Sequence, residues 1–134
     1  RQRLLSWLHL RETYSFTDAV ITENPAIPAS VGKAVTNVPR HQTAGLLTAA
    51  RGRFSGSFTA RYVSRSFGTD TNTDVTKGVP SSFDPFFEAS ASFGFRITKN
   101  LSFNAGGENL LDRRYFQSYL APGRTAFAGI RLGI

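Results

Sequence analysis

The sequence predicts an all-β chain, specifically an antiparallel up-and-down transmembrane β-barrel segment of about six strands. Apolar and polar residues alternate with a period of two in one segment after another, which is typical of β-strands. The connections between these segments alternate between tight turns and long loops. No run approaches the ~18 consecutive apolar residues that a membrane-spanning helix needs. Strands that alternate in this way and have short turns at one end and long loops at the other are typical of outer-membrane barrels.

The alternation defines six strands in order. They are residues 4–20, 41–50, 54–66, 84–97, 101–109 and 124–134. The first has one interruption, because Glu12 falls on its apolar side, and the second is ambiguous, because Leu46 and Leu47 are adjacent. The fourth is the clearest strand, since every odd position from Phe87 to Ile97 is apolar and no even position between them is.

The predicted connections fall into two classes. Residues 51–53 and 98–100 are expected to be tight turns, whereas 21–40, 67–83 and 110–123 are long and rich in Pro, Gly, Thr, Asn and Asp. The long loops therefore lie at one end of the predicted sheet. Alternation alone does not separate a membrane barrel from a soluble sandwich, because a sandwich packs the same apolar faces inward.

Aromatic placement favours the membrane alternative. Two groups are expected to form interfacial girdles: Tyr62, Phe67, Phe83, Phe86 and Phe87 near the long loops, and Phe54 and Phe95 near the short turns. In the rival interpretation, a soluble all-β ligand-binding module, the same rings fill a core.

Composition excludes several classes of function. The net charge is +7, but the 16 Lys and Arg residues are scattered and only Arg113 and Arg114 are adjacent, so no nucleic-acid partner is expected. The absence of cysteine excludes disulfides, thiolate metal sites and a cysteine nucleophile. The two histidines, His9 and His41, lie on separate predicted strands, and no catalytic constellation is present. The chain is therefore predicted not to be an enzyme and to need no cofactor.

One loop segment partly matches a calcium-binding loop. Asp70, Asn72 and Asp74 fit its opening, but Val75 stands where the loop needs Gly and Ser81 where it needs Glu. We expect an ordinary polar loop, with a weak calcium site as the alternative.

Two stretches resemble the C-terminal end of TonB-dependent outer-membrane receptors of the siderophore-receptor type. Residues 107–116 are similar to the family's Asn-Leu-Phe-Asp-Lys-x-Tyr element, and residues 122–125 to its Pro-Gly-Arg start of the last strand. Residues 32–41 are similar to a family segment that leads from an extracellular loop into a descending strand. The residues that match the first two motifs are Asn109, Leu110, Asp112, Tyr115, Pro122, Gly123 and Arg124. Two positions depart from the pattern, because Leu111 and Ile134 stand where the family usually has aromatic residues.

The resemblance implies a barrel of about 22 strands around an N-terminal plug. Residues 1–134 would then be the C-terminal part of the barrel domain, without the plug. It further implies a receptor in the bacterial outer membrane that takes up a ferric siderophore or a similar large, scarce ligand with TonB-coupled energy. The implied partners are outer-membrane lipid, the plug and the remaining barrel strands, the TonB inner-membrane complex acting through the plug, and the ferric chelate. A passive porin-like barrel is the remaining alternative.

Three charged residues are the candidate ligand contacts. Arg61 and Arg65 are expected to face the lumen, with Arg65 nearer the extracellular end and Glu88 near the top of the next strand. Arg65 is placed to meet an anionic ferric chelate through charge-assisted hydrogen bonds. Alternatively, these residues are ordinary lumen charges that pair with each other or with the plug. A turn that caps the fifth predicted strand at the start of the last loop is expected to be formed by Asn109, Asp112, Arg113 and Arg114.

Overall fold

The computed structural model describes residues 2–133 and consists almost entirely of antiparallel strands. In chain order they are β1 (Gln2–Leu5), β2 (Leu8–Phe16), β3 (His41–Arg51), β4 (Phe54–Val63), β5 (Phe86–Arg96), β6 (Leu101–Glu108), β7 (Phe116–Gln117), β8 (Tyr119–Leu120) and β9 (Thr125–Leu132). Seven of them form one sheet in the order β1-β2-β3-β4-β5-β6-β9, and β7 and β8 form a separate hairpin. A short 3-10 turn lies at Pro28–Ser30. Within residues 2–133, no helix has the length and apolarity needed to cross a bilayer.

The register of the sheet sorts the side chains onto two faces, because residues paired across neighbouring strands point to the same side. We call these the apolar face and the polar face. The apolar face includes Leu8, Leu10, Tyr14, Phe16, Leu47, Phe54, Phe58, Tyr62, Phe87, Phe93, Phe95, Phe103, Ile130 and Leu132. The polar face includes Arg11, Thr48, Ser57, Thr59, Arg61, Glu88, Ser92, Arg96, Asn104 and Arg131. Glu12 is a charged exception on the apolar face, where it lies opposite Gly45.

The two ends of the sheet differ as the sequence predicts. Residues 6–7, 52–53 and 97–100 make short turns at one end, and Gly52 adopts the positive φ of 60° that its turn requires. Three long loops extend from the other end, and we call them L1 (17–40), L2 (64–85) and L3 (109–124). All-β, up-and-down topology is therefore confirmed.

The predicted bounds of the first strand are wrong. Instead of one strand over 4–20, the chain forms the hairpin β1–β2, so the sheet has seven strands rather than six. A register shift between Arg3 and Leu5 breaks the alternation there, which hides the short β1 in the sequence. In addition, β4 ends at Val63 rather than at residue 66, and the predicted loop 110–123 contains the β7–β8 hairpin.

The predicted aromatic girdles are correct only in part. Tyr62 pairs with Phe87 at the loop end of the apolar face, and Phe54 pairs with Phe95 at the turn end. Phe86 lies on the polar face, because successive residues of a strand point to opposite sides. The other two rings of the predicted loop-end girdle, Phe67 and Phe83, belong to L2. Two rings that were not predicted for the girdle, Tyr14 and Phe16, lie exposed at the loop end of the apolar face.

The small buried core lies on the polar face, below the loops. It contains Val63, Phe86 and Tyr115, with Ala121 packed against it. Most large side chains of the apolar face are exposed, among them Phe58, Phe93 and Ile130. Within residues 2–133, no second layer of protein covers this face. A soluble sandwich would place a second layer of protein against this face.

Candidate functional site

Two of the three charged residues predicted from the sequence, Arg61 and Glu88, meet an aromatic pair at the loop end of the polar face. We call Arg61, Phe86, Glu88 and Tyr115 the upper-wall cluster. The β4–β5 register places Arg61 directly opposite Glu88 and places Val63 opposite Phe86. Tyr115 comes from L3, which folds over this part of the sheet. The structure thus brings together two of the three candidate contacts and one residue of the family motif.

Tyr115 makes two contacts within the upper-wall cluster. Its ring stacks on Phe86 with a centroid separation of 4.1 Å and an interplanar angle of 7°. Its hydroxyl donates a hydrogen bond of 2.8 Å to Oε2 of Glu88. On the same wall, the guanidinium of Arg61 lies 4.8 Å from the centroid of the Phe86 ring. Only 8% of Tyr115 is exposed, so L3 is anchored to the wall by a buried residue.

The surroundings of Tyr115 keep its hydroxyl protonated. Burial, the hydrogen bond to Glu88 and the negative charge of Glu88 raise the pKa of Tyr115 to about 12, and the positive charge of Arg61 opposes this effect. Tyr115 is therefore a hydrogen-bond donor to Glu88 at neutral pH.

Arg65 lies apart from this cluster. Because β4 ends at Val63, Arg65 belongs to L2, where its guanidinium lies 4.9 Å from the centroid of the Phe67 ring. It also donates a hydrogen bond to the backbone carbonyl of Asp74. The three candidate contacts therefore do not form one group.

The calcium-like segment of L2 directs its side chains to different partners. The Asn72 side chain accepts a hydrogen bond from the Ala34 amide and donates one to the Ala34 carbonyl, so it joins L2 to L1. The Asp74 carboxylate accepts hydrogen bonds of 2.7 Å from the Gly68 amide and from the Thr69 hydroxyl. Burial raises the pKa of Asp74, but these hydrogen bonds outweigh it and leave the pKa below its ordinary value. In the described part of the chain, no three acidic or histidine side chains come close enough to hold a metal ion.

The motif residues of L3 hold the two ends of that loop together. Asn109 is 3% exposed and has a positive φ of 46°. Its side-chain amide donates to the carbonyls of Arg113 and Pro122, and its oxygen accepts from the Arg113 amide. One carboxylate oxygen of Asp112 accepts a hydrogen bond of 2.9 Å from the Arg124 amide.

Leu110 and Gly123, two further motif residues, also help to hold L3 in place. The backbone amide of Leu110 donates to the carbonyl of Ala89, which fastens the start of L3 to β5. A Cβ atom at Gly123 would lie 3.3 Å from the Asp112 carboxylate, so a residue without a side chain suits this close approach.

Sequence reasoning missed Asp84, a buried carboxylate that joins L2 to L3. It is 6% exposed and accepts hydrogen bonds from the Gly78 amide, the Ser82 hydroxyl and the Phe116 amide. Its sequence signal is weak, because an aspartate directly before a proline is common in turns. Loops L1, L2 and L3 are thus connected by Asn72 and Asp84.

Comparisons with known proteins agree with the all-β fold. A family model described as "TonB dependent receptor-like, beta-barrel" matches residues 2–110. No curated protein matches the sequence. Among solved structures, the siderophore receptor PiuA from Acinetobacter baumannii has 18% identity and a TM-score of 0.81, over 96% of this chain and 20% of PiuA.

Two other solved structures are similar. The ferric citrate transporter FecA in its unliganded form has 19% identity and a TM-score of 0.77, over 93% of this chain and 21% of FecA. The copper transporter OprC has 18% identity and a TM-score of 0.63, over 98% of this chain and 22% of OprC. The chain spans about a fifth of the length of these structures, and the likenesses show a shared fold.

Proposed function

The chain belongs to the TonB-dependent receptor β-barrel family, and from this premise we propose that it is the C-terminal part of a receptor barrel that imports a ferric siderophore or a similar large, scarce ligand. The barrels of this family lie in the outer membrane of Gram-negative bacteria, which gives the chain its location. Outer-membrane receptor transport is the activity of the family, and the ligand and the coupling to TonB are our proposal.

The observation that carries the proposal is the family match over residues 2–110, on a sheet whose apolar face is not covered by any other part of residues 2–133. In a bilayer, backbone hydrogen bonds must be satisfied within the protein, so a sheet can span only as part of a closed barrel. The exposed apolar face then lies against lipid, and the polar face lines the lumen. The outer strands β1 and β9 would each pair with a further strand of the complete barrel, which we expect to have about 22 strands.

The proposed ligand region is the loop end of the polar face. Here Arg61 and Glu88 lie on the wall, and Arg65 lies in L2 above it. Guanidinium groups bind carboxylate or catecholate oxygens through charge-assisted hydrogen bonds, so an anionic ferric chelate is the ligand class that they suit. In the alternative, the same side chains pair with the N-terminal plug instead of the ligand.

Replacement of Arg65 by alanine in the complete receptor tests its proposed role. If Arg65 contacts the ligand, Arg65→Ala weakens binding of the transported ferric chelate in a direct titration. Lys77→Ala, also in L2, is the matched control and should leave the affinity unchanged. An unchanged affinity in Arg65→Ala would remove this residue from the ligand site.

Import itself is tested by iron uptake into cells that carry the complete receptor. We expect saturable uptake of a radiolabelled ferric chelate that is lost when the receptor is deleted and also when TonB is absent, because the plug must be moved by the inner-membrane complex. Uptake that persists without TonB would identify a passive porin-like barrel. A protein recovered in the soluble fraction, with uptake unaffected by its deletion, would instead indicate a soluble binding module.

A further inference from the structure

The upper-wall cluster contains two residues of opposite charge, Arg61 and Glu88, that do not form an ion pair with each other. Arg61 and Glu88 are directly opposed in the β4–β5 register, where opposite charges attract. Within residues 2–133, however, Arg40 and Asp18 form the one ion pair closer than 4 Å. The Arg61 side chain has no hydrogen bond to any described residue, and its guanidinium lies over the ring of Phe86.

The contacts of Tyr115 account for the missing ion pair between Arg61 and Glu88. Its hydroxyl occupies one oxygen of the Glu88 carboxylate, and its ring lies parallel to Phe86, two residues before Glu88 on the same face. A hydrogen bond to a carboxylate is strong enough to compete with an ion pair on a partly wet surface, because solvent weakens the Coulomb attraction there. The Glu88 carboxylate is therefore engaged with L3.

We propose that Tyr115 is a positioning residue, which holds Glu88 away from Arg61 and so leaves the Arg61 guanidinium open to an anionic group in the lumen. The contact of Arg61 with Phe86 supports this arrangement, because attraction to the face of an aromatic ring holds the guanidinium in place without a carboxylate partner. The planar guanidinium has five N–H donors, and none of them is used by a described residue. The inference rests on the proposed function, which places the polar face in the lumen.

The substitution Tyr115→Phe separates this role from simple packing. Phenylalanine retains the ring that stacks on Phe86 and fills the same buried space, but it lacks the hydroxyl that engages Glu88. If Tyr115 only anchors L3, this change leaves the surroundings of Arg61 as they are. If Tyr115 positions Glu88, the released carboxylate turns to Arg61, which lies directly opposite.

The availability of Arg61 can be measured without any ligand, using the arginine-selective reagent phenylglyoxal on the complete receptor. The rate of modification at Arg61 is read by mass spectrometry of proteolytic fragments. We expect a severalfold loss of reactivity at Arg61 in Tyr115→Phe and its recovery in the double variant Tyr115→Phe, Glu88→Gln. Reactivity at Arg65 serves as the internal control and should not change, since Arg65 contacts Asp74 and Phe67 instead.

A variant that leaves Tyr115 in place gives a second test. Because Glu88 is held by Tyr115, Glu88→Gln alone should leave the reactivity of Arg61 unchanged. The inference is overturned if Arg61 reacts equally fast in the wild type and in Tyr115→Phe, or if a slower reaction is not recovered in the double variant. An increase of Arg61 reactivity in Glu88→Gln alone would also overturn it, because Glu88 would then already pair with Arg61. These outcomes do not depend on which ligand is imported, so failure of the uptake experiment is distinguishable from failure of this inference.

Discussion

Adjacent residues of one strand meet opposite surroundings in this sheet. Phe58 lies on the apolar face between Leu47 and Ala91, and Thr59 lies on the polar face between Leu46 and Ser90. The proposed membrane setting places Phe58 against lipid and Thr59 against the lumen. A position that faces lipid excludes a charged side chain, whereas one that faces a wet lumen accepts it. We therefore expect Phe58 and Thr59 to differ in their tolerance for a charged substitution.

A charged substitution tests this difference at single positions. We expect Phe58→Arg to lower the free energy of unfolding of the complete receptor by about 2–4 kcal/mol, the cost of an arginine facing the middle of the bilayer. The matched variant Thr59→Arg should cost far less, because the lumen accepts a charge. Denaturant titration in lipid vesicles measures both, and equal costs would contradict the assigned faces.

The alternating positions could be predicted from the sequence residue by residue, but the contacts made through the loops could not. Period-two alternation depends only on local backbone geometry, so it assigned Arg61 and Glu88 to one face. The hydrogen bond from Tyr115 to Glu88 spans 27 residues, and that from Phe116 to Asp84 spans 32. Such contacts depend on the conformation of L3, which alternation does not encode. The motif resemblance pointed to Tyr115 without indicating its partner.

At the scale of elements, the pairing of β6 with β9 requires a residue without a side chain at Gly106. Gly106 lies opposite Phe127 on the polar face. A Cβ atom there would lie 2.5 Å from Cζ of Phe127 and 2.7 Å from the carbonyl oxygen of Ala91 on the neighbouring β5. The ring of Phe127 thus occupies the space over Gly106, and the backbone of β5 closes the other side.

The substitution Gly106→Ala should therefore destabilise the sheet. We expect a loss of about 1–3 kcal/mol in the free energy of unfolding, since the backbone of β5 must shift to accept the methyl group. Gly45→Ala is the control, because nothing lies within 4 Å of a Cβ atom at Gly45 in the centre of β3. The two variants are compared by denaturant titration, and a Gly106→Ala protein as stable as Gly45→Ala would refute the close approach.

The docking of L3 should depend on pH through Tyr115. The pKa of Tyr115 is raised from 10.0 to about 12, so its stabilising effect is complete below pH 10 and is lost as the pH rises towards 12. We expect the stability difference between the wild type and Tyr115→Phe to shrink over this range, as measured by denaturant midpoints at each pH. A difference that stays constant from pH 9 to 12 would be inconsistent with a raised pKa.

The elements that could be predicted are those with unbroken alternation. β5 and β6 lie within about two residues of their predicted limits. β1 was missed because its bulge next to Leu5 interrupts the pattern over a strand of only four residues. The β7–β8 hairpin was missed because two strands of two residues are too short for a period to be visible.

As a whole, residues 2–133 form an open sheet whose apolar face no other part of the described chain covers. Its outer strands are β1 and β9, and each leaves one row of backbone hydrogen-bonding groups without a partner strand in the described sheet. The mean hydropathy of −0.20 conceals this arrangement, because apolar and polar faces cancel in an average over alternating strands.

Isolation of the 134-residue chain tests the open sheet as a unit. In buffer without detergent we expect aggregates or oligomers, because both outer strands and the apolar face associate with other copies. Size-exclusion chromatography with light scattering measures the mass of the particles. A soluble, monodisperse monomer would count heavily against a membrane sheet.

The central claim is that the apolar face contacts lipid and the polar face lines a lumen. The most direct test is a nitroxide scan along β4, at residues 55–62, in the complete receptor reconstituted in bilayers. Each label is attached to an introduced cysteine, which is unique within this chain because its sequence contains no cysteine. We expect collisions with lipid-dissolved oxygen to alternate with a period of two, high at Phe58, Ala60 and Tyr62 and low at Ser57, Thr59 and Arg61. Uniformly low oxygen accessibility at Phe58, Ala60 and Tyr62 would mean that another protein layer covers this face, and would contradict the account.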